Sequence, residues 1–149
     1  MEIKTKYIEA HIIKIVDNEI NYLALKRAPY QLFPNIWQPV TGKIKENEKA
    51  YNAAKREILE ETGIVVNEIF ILPKVTSFYL HTEDAVYLSP VFLYIVEPDS
   101  KIKLSSEHIE FGWMTMDEVK NKYAWYGQRE SVDVINQYAS NNFEYLEKI

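Results

Sequence analysis

The chain has 149 residues, of which 47% are hydrophobic and 26% charged, so one folded domain with a substantial core is expected. Its formal net charge of −5 disfavours a general nucleic-acid binder, which needs a basic surface to neutralise phosphates. The absence of cysteine excludes disulfides, thiolate chemistry and cysteine-based zinc sites. No signal peptide and no membrane-length apolar stretch are visible, so we expect a cytoplasmic protein without membrane attachment.

The N-terminal part of the sequence predicts a β-hairpin. Two runs of strand-forming residues, 7–16 and 20–27, flank the turn-forming residues Asp17-Asn18-Glu19. A proline-containing loop follows, and a short apolar run at Trp37–Val40 indicates another strand.

Residues 48–62 have the composition of a helix. Asn47 is the predicted N-cap, Glu48 lies in the predicted first turn, and Gly63 stands where a helix commonly ends in a left-handed residue.

Ile64–Val66 and a longer β-rich region at about 69–80 follow the helix. In the next predicted strand, residues 86–96, the segment Val91–Val96 is apolar at consecutive positions. Such a strand is covered on both faces, which favours a sheet between two layers of helices. Pro90 indicates a strand start or a bulge.

The C-terminal part predicts a short strand at Phe111–Met114 and then two helices. Thr115 and Glu118 have the spacing of a capping box at the start of the first helix. In the second, which runs to about Ser140, three apolar residues fall on one face: Val132, Ile135 and Ala139. The predicted fold class is therefore α/β (α+β), with a mixed sheet and flanking helices.

Three glutamates, Glu57, Glu60 and Glu61, stand at i, i+3 and i+4 in the first predicted helix. These spacings place side chains close together on one helix face, where three carboxylates repel each other. A hard divalent cation such as Mg²⁺ removes the repulsion, because it prefers oxygen ligands. A glutamate-rich helix is also typical of a solvated surface, so the three residues alone are compatible with either interpretation.

The spacing around the glutamates is more specific. The stretch GKIKENEKAYNAAKREILEETGI, residues 42–64, resembles the Nudix box, G-x5-E-x7-R-E-U-x-E-E-x-G-U, where U is a bulky aliphatic residue. It matches at every defined position: Gly42, Glu48, Arg56, Glu57, Ile58, Glu60, Glu61, Gly63 and Ile64. The resemblance implies a single Nudix hydrolase domain over residues 1–149, folded as an α/β/α sandwich in which the box forms a loop, a helix and a loop.

The resemblance also implies roles for the box residues. Glu57, Glu60 and Glu61 match the glutamates that bind Mg²⁺, or Mn²⁺, and Glu57 or a neighbour is a candidate base for the attacking water. Arg56 belongs to the same catalytic group.

Three further box residues have implied roles of a different kind. Glu48 pairs with Arg56 to orient the helix and is structural. Gly42 matches a loop glycine at which the backbone approaches the metal or phosphates, and Gly63 is structural.

Outside the box, residues 105–113 resemble an S-x-E-H-x-x-F-x-W stretch of many Nudix proteins. In some relatives its glutamate reaches the metal, so Glu107 is a candidate fourth carboxylate ligand, with a solvated loop residue as the alternative. His108 is expected to be structural.

Candidate substrate-binding residues flank the box. Trp125 lies in a segment that resembles the W-x-x-R stretch of dihydroneopterin triphosphate and dATP diphosphatases, and it is expected to stack on a ring. Trp37 or Phe33, from the loop before the box, is a second candidate for ring contact, and Lys26 or Arg27 is a candidate phosphate ligand.

The expected function is metal-dependent cleavage of a nucleoside-triphosphate-like substrate, a dNTP or dihydroneopterin triphosphate, to a monophosphate and pyrophosphate. The step Val40-Thr41-Gly42 resembles the branch of the family active on such triphosphates. Alternative substrates are ADP-ribose or other nucleoside diphosphate sugars, dinucleoside polyphosphates, and capped or oxidised nucleotides. Alternatives of another class are a Nudix module that senses a nucleotide without cleaving it and a structural or interaction protein with an incidental acidic helix. The expected partner is the small-molecule substrate, and the sequence is compatible with a homodimer.

Overall fold

The computed structural model describes residues 1–149 and contains nine strands and three α-helices. The strands are β1 (Glu2–Lys4), β2 (Tyr7–Val16), β3 (Glu19–Arg27), β4 (Trp37–Gln38), β5 (Val40–Lys43), β6 (Phe70–Leu80), β7 (Ala85–Ile95), β8 (His108–Met114) and β9 (Glu147–Lys148). The helices are α1 (Ala50–Thr62), α2 (Met116–Lys122) and α3 (Tyr126–Asn141), with a short 3₁₀ helix at Phe143–Tyr145. No helix is both long and apolar enough to span a membrane.

All nine strands belong to one mixed sheet. The central order is β4-β3-β2-β7-β6-β9, while β5 pairs with β2, β8 with β3 and β1 with β7. The pairs β2–β7 and β1–β7 are parallel and the other pairs are antiparallel. The mixed sheet with flanking helices predicted from the sequence is confirmed.

Helices cover both faces of the sheet, and each face has its own core. One core contains Ala53 and Ile58 of α1, and the other contains Val119 of α2 with Val132 and Ile135 of α3. Successive residues of a strand point to opposite faces, so β2 contributes to both cores. Its residues Ile8, Ala10 and Ile12 join the α1 side, and Ile13 joins the side of α2 and α3.

The predicted hairpin is confirmed. Val16 pairs with Glu19, and the two residues between them, Asp17 and Asn18, have positive φ angles of 51° and 65°. Two consecutive left-handed residues are typical of the tight hairpin turn whose twist matches that of the flanking strands.

The predicted start of the first helix was wrong. Helix α1 begins at Ala50 with Lys49 as its N-cap, and Asn47 has a φ angle of 63°, whereas an N-cap residue is normally extended. Glu48 therefore lies in the preceding loop. The predicted end is confirmed, because Gly63 is left-handed, with a φ angle of 77°, and donates its N–H to the carbonyl of Leu59.

Pro90 lies inside β7 and not at its start. It is opposite Val75 of β6, next to a shift in the β6–β7 register. Along the other edge of β7, β1 pairs up to Tyr87 and β2 pairs from Val91 onward. A proline, which cannot donate a backbone hydrogen bond, therefore lies at a discontinuity in the ladder, as the bulge interpretation predicts.

Candidate catalytic and ligand-binding cleft

The three glutamates of α1 differ in their environments. Ala53, Ala54 and Ile58 are fully buried and fix the rotation of the helix against the sheet. This rotation leaves Glu61 only 2% exposed, whereas the side chain of Glu60 is 52% exposed. The glutamates have the spacing of one helix face, as predicted. The packing of α1 nevertheless places the Glu61 carboxylate in the interior and the Glu60 carboxylate in solvent.

Arg56 holds the start of the acidic segment in place. Its guanidinium donates to both carboxylate oxygens of Glu48 at 2.8 and 2.9 Å, to Glu57 at 2.7 Å and to the carbonyl of Lys43 at 2.8 Å. The hydrogen bond from Arg56 is the largest cause that lowers the pKa of Glu48 to about 2. The Arg56–Glu48 pair thus connects α1 to the loop before it, as the sequence resemblance implies.

Gly42 makes room for the carboxylate of Glu57. It lies in strand β5, opposite Ile8, and not in the loop that the sequence predicted. A Cβ atom at residue 42 would be 2.2 Å from Cδ of Glu57 and 2.5 Å from its Oε1. The absence of a side chain at Gly42 therefore determines where the Glu57 carboxylate can lie.

Glu61 is a buried carboxylate with an unsatisfied oxygen. Its Oε2 atom has no hydrogen-bond partner. Burial, and then the nearby carboxylates of Glu57 and Glu107, raise the pKa of Glu61 well above its ordinary value, while Arg27 opposes this in part. Burial also raises the pKa of Glu57, although Arg56 opposes the shift. Keeping both carboxylates ionised therefore costs free energy unless a positive charge lies between them.

A divalent cation fits this group of side chains. Glu61, Glu107 and His108 each offer a ligand atom, and these atoms lie within 4.8 Å of one another. The loop before β8 thus brings Glu107 to the buried glutamate of α1. His108 is buried, which lowers its pKa to about 4, and its Nε2 lies 3.2 Å from the side-chain nitrogen of Gln38.

A cleft of about 1310 Å³ opens beside these carboxylates. At one end its lining includes Gly42, Glu57, Glu107 and Arg27. Its lining at the mouth includes an edge-on aromatic pair, Phe33 and Trp125, whose ring centroids are 5.2 Å apart at an interplanar angle of 84°. The cleft thus has a charged region next to α1 and an aromatic rim.

Comparison with known families identifies the fold and the box. A family model described as the NUDIX domain matches residues 6–134. The chain belongs to the Nudix family. Members of this family are hydrolases that act on acid anhydrides.

Among curated proteins, an octanoyltransferase of Myxococcus xanthus is 29% identical over 128 residues, which are 81% of this chain and 34% of that protein. An 8-oxo-dGTP diphosphatase of Buchnera aphidicola is 37% identical over 70 residues, 47% of this chain and 42% of that protein. The chain thus spans less than half the length of these two relatives. A C. elegans Ap4A hydrolase, solved as a binary complex, superposes with a TM-score of 0.78 at 17% identity, over 90% of this chain and 96% of that chain. The superposition shows the shared fold.

Of the substrate-binding candidates in this Nudix domain, Arg27, Phe33 and Trp125 line the cleft. Arg27 follows a register shift in the β3–β8 pairing, and its Nε donates to the carbonyl of Leu32 at 2.8 Å. Lys26, the neighbouring candidate, is not part of the lining and lies 3.9 Å from Glu110.

The placement of Trp37 corrects the sequence prediction. Trp37 packs against the core on the side of α2 and α3 and does not line the cleft. Its neighbour in β4, Gln38, does line it. Because adjacent strand residues point to opposite faces, Gln38 and Trp37 cannot both face the ligand. Of the two aromatic residues considered in this part of the sequence, the structure therefore places Phe33 at the cleft.

Sequence reasoning missed a polar group in the lining of the cleft. Glu9 of β2, Thr76 of β6 and Gln128 of α3 all border the cleft, and Glu9 is hydrogen-bonded to Thr76. No motif marks these residues. The available indication was that Glu9 and His11 are polar residues on one face of an otherwise apolar strand.

Proposed function

We propose that this protein hydrolyses a phosphoanhydride bond of a nucleoside-triphosphate-like substrate, a dNTP or dihydroneopterin triphosphate, and releases a monophosphate and pyrophosphate. Mg²⁺ is the proposed cofactor and Mn²⁺ can replace it. The observation that carries the proposal is the convergence of Glu57, Glu61 and Glu107 beside the cleft, with an unsatisfied buried oxygen on Glu61.

Glu57, Glu60, Glu61 and Glu107 are the residues proposed to hold the cation, and the backbone at Gly42 approaches the same place. The fit rests on carboxylate oxygens, which hard divalent cations prefer, and on the raised pKa values of Glu57 and Glu61, which a cation would lower. A bound cation would neutralise phosphate charge and make an attached water more acidic.

The side chains of the protein itself supply positioning and proton transfer. Glu57 is the proposed base, because Arg56 holds its carboxylate in place and burial raises its pKa toward the range useful for a base at neutral pH. It takes a proton from the attacking water as the new P–O bond forms and the bond to the leaving phosphate breaks. Arg27, next to Glu107 in the lining, is proposed to bind a phosphate of the substrate.

The triphosphate preference is supported by Val40-Thr41-Gly42 and by Trp125 at the mouth of the cleft. The similarity to the 8-oxo-dGTP diphosphatase, at 37% identity over 70 residues, points the same way. A dinucleoside polyphosphate is the second candidate substrate, because the fold closely matches that of the C. elegans Ap4A hydrolase.

We also propose that residues 1–149 act as one domain in the cytoplasm. Strands β1 and β9, near the two ends of the chain, pair into the same sheet, so the whole length contributes to one folded unit.

The test is a substrate panel. The purified protein is incubated with Mg²⁺ and each of the dNTPs, dihydroneopterin triphosphate, ADP-ribose and diadenosine polyphosphates, and phosphate and pyrophosphate release are measured separately. We expect pyrophosphate and a monophosphate from a triphosphate. Faster turnover of a diadenosine polyphosphate would favour the second candidate, and tight binding of one compound without turnover of any would support the nucleotide sensor instead.

A further inference from the structure

A buried carboxylate outside the group of α1 glutamates also lines the cleft. Glu9 is 3% exposed and borders the cleft. Its Oε2 accepts hydrogen bonds from Nε2 of His11 at 2.6 Å and from Oγ of Ser131 at 2.5 Å. Its Oε1 accepts one hydrogen bond, from Oγ1 of Thr76 at 2.8 Å. A carboxylate has about four acceptor positions, so Oε1 retains capacity for another donor.

The hydrogen bonds keep Glu9 charged. Burial alone would raise its pKa, but the hydrogen bonds from His11, Ser131 and Thr76 outweigh burial, and the pKa lies below its ordinary value. A carboxylate that stays ionised without a metal is a strong acceptor for a ligand N–H group.

A second acceptor lies close by in helix α3. Gln128 is 6% exposed and borders the cleft, and its Oε1 is buried without a hydrogen-bond partner. It lies one helical turn before Ser131, the residue that donates to Glu9. Helix α3 can approach this closely because residue 127 is glycine: a Cβ there would be 2.6 Å from Cγ2 of Thr76. The same cleft is thus lined by two acceptors that can each take a further donor.

The mouth of the same cleft is aromatic. Phe33 and Trp125 form the edge-on pair described above, and both are partly exposed. Aromatic side chains beside hydrogen-bond acceptors are suited to a flat heterocycle that stacks on a ring and directs its N–H groups into the cleft wall.

We propose that Glu9 and Gln128 select a heterocycle that presents a ring N–H next to an exocyclic amino group, the 2-amino-4-oxopyrimidine edge that guanine and pterins share. One N–H group would donate to Oε1 of Glu9 and the other to Oε1 of Gln128, the two acceptors that still have capacity. Adenine and cytosine place a ring acceptor beside their amino group, and uracil and thymine place carbonyls on both sides of their N–H, so each would direct a lone pair at an acceptor. The inference rests on the proposed function for the phosphates and narrows its substrate class.

The first experiment measures binding without catalysis. GMP and IMP differ only in the 2-amino group, and their affinities for the wild-type protein are compared in EDTA by isothermal titration calorimetry or by Trp fluorescence. We expect GMP to bind about 10- to 100-fold more tightly, because IMP lacks the 2-amino donor and leaves one buried acceptor unpaired. Equal affinities, or a preference for AMP over GMP, would overturn the inference.

The second experiment tests the residues. Glu9→Gln and Gln128→Leu are each expected to reduce the GMP preference over IMP to within a few-fold, and thermal melts identify any variant that has not folded. Glu68→Gln is the matched control, because Glu68 is exposed and paired with Lys148 away from the cleft. A folded Glu9→Gln protein that keeps the full preference contradicts the proposal.

Two further comparisons distinguish a pterin from a guanine ligand, and the ring selectivity from the proposed hydrolysis. Dihydroneopterin monophosphate is measured beside dGMP, because both have the proposed edge, and whichever binds more tightly identifies the source. If the protein discriminates GMP from IMP but hydrolyses no triphosphate, the proposed function fails while the ring selectivity stands. If it hydrolyses GTP and ITP with equal kcat/KM, the ring selectivity fails while the proposed function stands.

Discussion

The two ends of the cleft use the same residue type in opposite ways. At the α1 end, Glu61 is buried and Glu57 half-buried beside other carboxylates, and burial raises the pKa of both. At the other end, Glu9 is as deeply buried as Glu61, but neutral donors and His11 surround it and its pKa is lowered. We propose that a cation completes the first environment, whereas donors of the protein itself keep Glu9 ionised in the second. Burial therefore does not decide the role of a carboxylate; its hydrogen-bond donors do.

The two ends also differ in how they are assembled. Residues 42–64 supply most of the acidic end, and only Glu107 comes from elsewhere. Glu9 and Ser131, which meet at the other end, are 122 positions apart in the chain. The proposed reaction chemistry is thus encoded locally, while the proposed ring selectivity depends on three separate elements of the fold.

The largest expected effect is at the acidic end. Glu61→Gln and Glu60→Gln are each expected to lower kcat for a triphosphate by about 10²- to 10³-fold, the usual loss when one group that stabilises the transition state is removed. Mg²⁺ affinity, measured by titration calorimetry, should weaken in parallel. Glu68→Gln should keep wild-type turnover, and unchanged activity in both active-site variants would refute their assignment as ligands.

A nearly equal loss of kcat is expected when one methyl group is added at residue 42. In Gly42→Ala, the new Cβ would overlap Glu57, whose flexible carboxylate can swing away while the backbone stays in place. We therefore expect kcat to fall by about 10²-fold, the loss associated with a misplacement of about 1 Å, with little change in Tm.

Gly112→Ala is the matched control for this substitution. A Cβ at residue 112 in β8 would be 3.3 Å from Cε of Met114, a contact that a flexible side chain can relieve. Kinetics and thermal melts of both variants check the prediction, and a loss of activity in Gly112→Ala as large as in Gly42→Ala would argue against the role of Gly42.

A smaller effect is expected at the aromatic rim. Trp125→Ala removes a partly exposed ring that pairs with Phe33, and stacking of one base contributes about 1–3 kcal/mol. We expect KM to rise by about tenfold with kcat nearly unchanged, because the ring binds ground state and transition state alike. The kinetics of Trp125→Phe should be close to wild type; an unchanged KM in Trp125→Ala would exclude stacking.

The smallest expected effect is on stability, and it depends on pH. The pKa of Glu61 is raised in the folded state, so the unfolded chain ionises first as pH increases above the ordinary value of 4.5. The metal-free fold therefore loses stability as pH rises from there through the raised pKa.

Without metal at pH 8, Glu61→Gln should accordingly raise Tm by a few degrees, since about 1 kcal/mol corresponds to about 2–4 °C in a domain of this size. At pH 4 the difference should nearly vanish. Glu60→Gln is the matched control, because it removes a carboxylate from the same helix that is largely exposed. Thermal melts in EDTA across this pH range check the prediction; a variant less stable than wild type at pH 8 would contradict it.

Much of the fold could be predicted because its determinants are local. The hairpin at Asp17-Asn18, the capping box at Thr115 and the left-handed Gly63 each depend on a few adjacent residues. Strands β1 and β9 were missed, because three- and two-residue strands have no period to detect and exist only through their pairing partners. The start of α1 was misplaced because asparagine is common both at helix N-caps and in the left-handed conformation that Asn47 adopts.

By itself, the sequence determined the family, the layered fold and the set of box residues, because their spacing along one helix and its flanking turns is fixed by local geometry. Only the tertiary structure decided which of them are buried, that Gly42 makes room for Glu57, that Gln38 and not Trp37 faces the cleft, and that Glu9 and Gln128 line the same cleft. Those outcomes depend on the rotation of α1 against the sheet, on which face each strand residue takes and on the approach of α3. Packing between distant segments sets all three, and no local pattern encodes it.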